Sequence, residues 1–188
     1  MLSVIIIKKF ELMTCYTLSV YPIYQKRFFR SPCKKQVPIK DIQMTEINIQ
    51  LTKYAIASSG LLKIDRIGAG IGVILYSAQH KIGAGLHILA SHSGYNTPKN
   101  PIMYANTAIP FIMNQLSTRG VRPPISIAIA GGAVMLGTHG PIKVGPKIVK
   151  AVKEALAKEG LTIKIDETEK SKIRSMVLDI DAGKIKIS

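Results

Sequence analysis

The side chains best suited to nucleophilic, acid–base or metal chemistry in this 188-residue chain are two cysteines and four histidines. Cys15 and Cys33 lie 18 residues apart with no histidine beside them, which matches no zinc-ligand spacing. A cytosolic setting argues against a disulfide between them. His80, His87 and His92 follow one another at intervals of seven and five residues, which suit no common helical or strand ligand pair. No metal site is expected. His139, within Gly137-Thr138-His139-Gly140, reads as an exposed loop histidine.

Two glycine pieces, Ile67-Gly68-Ala69-Gly70-Ile71 and Ile82-Gly83-Ala84-Gly85-Leu86, stand fifteen residues apart. A dinucleotide fingerprint needs G-x-G-x-x-G ahead of a helix, so that the helix N-terminus meets the pyrophosphate. Here the glycines are Gly68, Gly70 and Gly72, and a strand-like run follows. Close backbone approach explains them better. Gly132-Ala133-Val134-Met135-Leu136-Gly137-Thr138 has the glycine spacing of a phosphate loop but no lysine to neutralise the β- and γ-phosphates. No cofactor is expected.

Short elements must carry these residues. Ile47, Ile49 and Leu51 alternate with polar neighbours as in a half-buried strand, and Ser58-Ser59-Gly60 marks a turn before a second strand over Leu61–Asp65. Ile71–Ser77 and Ile82–Ala90 read as a hairpin turning at His80-Lys81. Residues 91–101 read as a surface loop, and Ile102–Thr118 as an amphipathic helix that Pro110 should kink or interrupt. Ile125, Ile127 and Ile129 lead a strand into Gly131-Gly132. Val144–Lys158 is the clearest helix, with Pro146 in its first turn, an apolar stripe of Ile148, Val149, Val152 and Leu156, and Gly160 at its C′ position. A strand over Leu161–Ile165 precedes a final hairpin, Met176–Ile180 and Lys184–Ile187, turning at Asp181-Ala182-Gly183. Strands dominate, so the expected class is α+β, an α/β sandwich: one domain with mixed β-sheets at its core and a few flanking helices.

The chain carries 26 Lys+Arg against 11 Asp+Glu, a formal charge of +15, and is 47% hydrophobic. That apolar share excludes disorder, and 15 Gly with 10 Pro exclude a coiled coil. No apolar run approaches the ~20 residues of a membrane span, so membrane insertion is not expected. The charge invites a nucleic-acid reading, but it is unevenly spread. Residues 1–43 hold eight basic and two acidic side chains, both cysteines, and no sustained period. This irregular basic extension has three readings: an arm for an anionic surface, a packed extension, or a stretch upstream of a working start at Met44. Regular patterning begins only after Met44, which favours the last and assigns the domain to 44–188. In that part 18 cations are dispersed among nine acids, with few aromatics for base stacking. Nucleic acid is therefore a weak candidate partner.

Four segments together carry a resemblance. Tyr104-Ala105-Asn106-Thr107-Ala108-Ile109-Pro110 resembles the Y-A-D-T-A-I-P helix opening of the CheD family, the chemoreceptor glutamine deamidases of chemotaxis. Ala130-Gly131-Gly132-Ala133-Val134-Met135 resembles that family's F-G-G-A-x-M segment. Val144-Gly145 with Val149-Lys150-Ala151-Val152 resembles its I-G-x-x-N-x-x-A-V helix start, with Ile148 at the motif's Asn. Ile82-Gly83-Ala84-Gly85-Leu86-His87 resembles its G-G-x-A-H stretch and aligns His87 with the family's catalytic histidine. The resemblance spans about 135 residues, Lys53 to Ile187.

It implies a cysteine thiolate that attacks a glutamine side-chain amide, a histidine that activates the thiol and assists departure of ammonia, and a thioester that water hydrolyses. The family's cysteine stands in G-L-G-S-C-V, seventeen residues before the histidine. That count reaches Gly70, and the family's threonine six residues earlier falls on Ile64. The nucleophile and the orienting hydroxyl are thus both absent. The family's G-G-x-x-G-R falls on Glu169-Lys170-Ser171-Lys172-Ile173-Arg174, of which only Arg174 matches. Two partners are implied, the cytoplasmic helices of chemoreceptors and a CheC-type phosphatase, with a cytoplasmic location. The leading expectation is a CheD-like protein that is catalytically impaired and acts by binding. The alternative is an active protein-glutamine deamidase or amidohydrolase with an unrecognised nucleophile.

Overall fold

The structure is a computed structural model that describes residues 45–94, 98–137, 140–142, 144–168, 170 and 172–188. The extension 1–43, Cys15, Cys33 and His139 lie outside the described residues. The chain runs β1 (Glu46–Asn48), β2 (Tyr54–Ala57), β3 (Leu61–Ile67), β4 (Ile71–Ser77), β5 (Ile82–Ile88), a 3₁₀ turn (Pro101–Met103), α1 (Ala105–Thr118) and β6 (Ser126–Gly131). Then come β7 (Met135–Gly137), β8 (Gly140–Ile142), α2 (Val144–Lys158), β9 (Ile163–Thr168), β10 (Arg174–Asp179) and β11 (Lys184–Ile187).

The strands form a four-stranded sheet ordered β1-β3-β10-β11, a five-stranded sheet ordered β2-β5-β4-β6-β9, and the small β7-β8 hairpin. Both large sheets are mixed: β1 lies parallel to β3 and β9 parallel to β6, whereas the hairpin pairs are antiparallel. This is the expected α+β sandwich. One face of the five-stranded sheet packs on both helices, through Ile71, Val73 and Leu75 of β4 against Ile109, Ile112 and Leu116 of α1 and Ile148, Val152 and Leu156 of α2. The other face packs on the four-stranded sheet, through Ile74 and Tyr76 against Leu62, Ile64, Ile67, Met176 and Leu178. A strand covered on both faces has no use for polar alternation, which is why every residue of β4 is buried and its sequence reads as one apolar run. Each fully buried Leu or Ile contributes about 1.5–3 kcal/mol of transfer free energy.

Three expectations need correction. The predicted helix over Ile102–Thr118 opens instead as a 3₁₀ turn, capped by the Asn100 side chain on the Ile102 N–H, and α1 proper starts at Ala105. Pro110 does not interrupt α1, which continues to Thr118. Pro110 has no N–H to offer the Asn106 carbonyl, but both residues are solvent-exposed, so water can serve that oxygen. The strand expected at Leu161–Ile165 is displaced to Ile163–Thr168, and neither β2 nor β7-β8 is apparent from periodicity. The α2 helix has the expected bounds, and Gly160 adopts φ +70° as Leu161 N–H closes on the Leu156 carbonyl at 3.0 Å.

Candidate functional site

The β4–β5 hairpin positions the two residues that the seventeen-residue spacing singled out. Pairing of Ile71 with Ile88 and of Gly72 with His87 sets Gly70, just before β4, diagonally across from the His87 side chain. A Cβ built on Gly70 would lie 3.2 Å from His87 Nε2. It would also come within 2.7 Å of the Ile88 carbonyl oxygen, so a larger residue here requires the β5 backbone to move. Gly70 does not use the left-handed φ reserved for glycine, so an L-residue is compatible with its dihedral.

His87 is 5% exposed. Its backbone is held by the Lys53 carbonyl, which accepts its N–H at 3.1 Å, and by the Thr52 N–H, which donates to its carbonyl at 2.9 Å. Among the described residues the ring makes no hydrogen bond, and burial alone pushes its pKa below the ordinary histidine value. The ring therefore stays neutral near pH 7, the form in which one nitrogen can accept a proton. Thr52 adopts φ +56°, a conformation costly for a β-branched residue, and its carbonyl accepts from Asn100 Nδ2 at 3.2 Å. Backbone strain of this kind concentrates where a site is held in shape by its surroundings.

Ile64 is fully buried between the sheets, its Cδ1 3.7 Å from where a Gly85 Cβ would stand. It does not line the cavity at His87. That cavity, of about 350 Å³, is bounded by Asn48 at the end of β1 and residues 49–51 after it, by Asp65 and Arg66 near the end of β3, and by His87. Arg66 escaped the motif reading. The count that sets Gly70 under the family's cysteine also sets Arg66 under the first glycine of G-L-G-S-C-V, and Arg66 holds φ +52°. Its guanidinium has no hydrogen-bond or ion-pair partner among the described residues, whereas Asp65 is paired with Lys63 at 3.0 Å.

The glycine pieces serve backbone approach. Gly132 N–H donates to the Gly70 carbonyl at 2.9 Å and Ala133 N–H to the Gly68 carbonyl at 3.0 Å, tying the end of β6 to the loop before β4. A Cβ at Gly131 would overlap the Gly70 carbonyl oxygen. Where the family's second glycine-rich loop would fall, Arg174 instead pairs with Glu167 at 3.3 Å, beside Lys170, and its Nε is buried without a partner among the described residues. Glu169 and Ser171 lie outside the described residues. The other described imidazoles are elsewhere: His80 shares a 2.9 Å hydrogen bond with Ser77 Oγ in the β4–β5 turn, and His92 sits in the loop before α1. Among the described residues no three His, Cys, Asp or Glu side chains cluster as a metal would require.

Fold and site together define a class: an α+β sandwich whose hairpin frames a buried histidine at its mouth, with a second residue facing the imidazole across the strands. The family model described as CheD chemotactic sensory transduction matches residues 88–188. A probable chemoreceptor glutamine deamidase CheD of Desulforamulus reducens is 31% identical over 148 residues, covering 76% of this chain and 89% of that protein. Proteins of the same description from Methanococcus maripaludis and Methanococcus vannielii are 33% and 35% identical, covering 63% and 64% of this chain and 79% and 80% of their own lengths. The chain belongs to the CheD family.

Proposed function

We propose that this CheD-family protein no longer deamidates and acts by binding. The observation that carries the reading is Gly70: the residue facing His87 Nε2 across the hairpin has no side chain, and no thiol occurs anywhere in residues 44–188. Amide hydrolysis by covalent catalysis needs a nucleophile that the base can deprotonate and that can carry the acyl group. Loss of a nucleophile typically costs on the order of 10⁶ in rate. At ~1.36 kcal/mol per decade, that is about 8 kcal/mol of transition-state stabilisation. Ile64 supplies no hydroxyl to orient the imidazole, and burial keeps His87 a neutral, well-packed ring.

The partner is a chemoreceptor, by analogy with relatives described as chemoreceptor glutamine deamidases. A CheC-type phosphatase is a second partner, on the family resemblance alone, and the protein acts in the cytoplasm. Among the described residues no helix is long and apolar enough to cross a membrane. The test incubates purified protein with a chemoreceptor cytoplasmic fragment and reads amide-to-acid conversion by mass spectrometry. No conversion is expected, together with measurable complex formation. His87-dependent conversion would overturn the proposal and establish the alternative, an amidohydrolase with another nucleophile.

A further inference from the structure

We propose that the His87 cavity holds a carboxylate, that of a glutamate side chain on the bound partner, through Arg66. The inference rests on the binding-only reading and names what the site binds. Arg66 has φ +52°, a conformation that disfavours any residue but glycine, asparagine or aspartate, so its presence there runs against the local backbone preference. The surroundings hold it: its N–H faces Ser175 Oγ at 3.4 Å, and Ile67, next in the chain, is fully buried. The consequence is an exposed arginine lining the cavity whose guanidinium has no partner among the described residues.

Charge in the cavity favours an anion. Its only acid among the described residues, Asp65, is paired with Lys63, which also reaches Glu46 at 3.6 Å. His87 is neutral, and Asn48 and Gln50 contribute uncharged amides. A neutral amide and a carboxylate have nearly the same shape, so these amides alone would discriminate little between glutamine and glutamate. The guanidinium does discriminate, because a charge-assisted hydrogen bond to a carboxylate is roughly twice as strong as a neutral one, and the planar fork fits both oxygens. A site without a nucleophile but with a cation is suited to retaining the acid form of a side chain, not to turning over the amide.

The test titrates the full chain with N-acetyl-glutamate methylamide and, separately, with N-acetyl-glutamine methylamide at low salt. Binding is read from the His87 ring resonances by NMR, and free ammonia is assayed in the same samples. The expected result is a saturable shift with the glutamate compound, at about tenfold higher affinity than with the glutamine compound, fading as salt screens the exposed guanidinium. In Arg66→Gly the preference should vanish while the fold persists, since glycine adopts this φ freely. Equal or tighter binding of the glutamine compound, no saturable shift with either compound, or a preference that survives in Arg66→Gly would overturn the proposal. Ammonia release is a separate signal: it would mean that the binding-only reading itself has failed, and this proposal with it.

Discussion

At the residue scale, His87 couples the site to stability. Burial lowers its pKa in the folded protein below the ordinary value of 6.5, whereas the unfolded chain titrates near that value. The unfolded state therefore binds the proton first as pH falls. The contribution of the neutral buried ring is complete above about pH 6.5 and is lost as pH drops through the lowered folded value. Urea midpoints measured between pH 8 and 5 should fall with acid, and His87→Gln should flatten the part of that slope owed to this residue. A variant whose pH profile parallels the wild type would show that the ring is not held neutral. Gly70 and Arg66 complete the local picture: one removes a side chain from the imidazole, and the other adds a cation to the cavity beside it.

At the element scale, the loop before β4, the end of β6 and the start of α2 form one backbone junction. Gly132 adopts φ +73°, and a Cβ there would overlap Val149 of α2, while Gly145 in the first turn of α2 lies against the Gly132 and Ala133 carbonyls. The same segment ties back to Gly70 through its N–H. Gly132→Ala adds a left-handed penalty to an overpacked contact, and should destabilise the protein by about 2–4 kcal/mol in denaturant unfolding. A loss below about 0.5 kcal/mol would mean that α2 can shift away from the sheet at little cost. The α2 bounds and the final hairpin were readable because their signals are local: an apolar stripe closed by Gly160, and a turn at Asp181–Gly183 in which Gly183 takes φ +65°. β2 was not, since Tyr54–Ala57 is a four-residue edge strand that pairs only with β5 and has no period of its own.

At the scale of the whole molecule, the charge of +15 is a weak guide to partners. Eight of the cations lie in residues 1–43, and those of 44–188 include Lys63, Lys153, Lys170 and Arg174, each paired with an acid. Residues 44–188 should show no steeply salt-dependent retention on duplex DNA or RNA, because their 18 cations are dispersed among nine acids. Affinity falling by orders of magnitude between 50 and 200 mM salt would restore the nucleic-acid reading.

What the sequence determined by itself is whatever depends on neighbours within about twenty residues. The β4–β5 hairpin, the α2 helix with its cap, and the seventeen-residue interval from Gly70 to His87 all belong there, because turn chemistry and periodicity act along the chain. The glycine under the family's cysteine was legible for the same reason. The tertiary structure decided which strands share a sheet, as when Gly60 N–H meets Asp181 Oδ2 from 121 residues away to join β3 to the β10–β11 turn. It also decided that Ile64 faces the core while Arg66, two residues on, adopts φ +52° at the edge of the His87 cavity. A positive φ on an arginine has no signature in composition or spacing. It persists only because long-range packing outweighs the residue's own preference, and that balance exists only once the sheets have met.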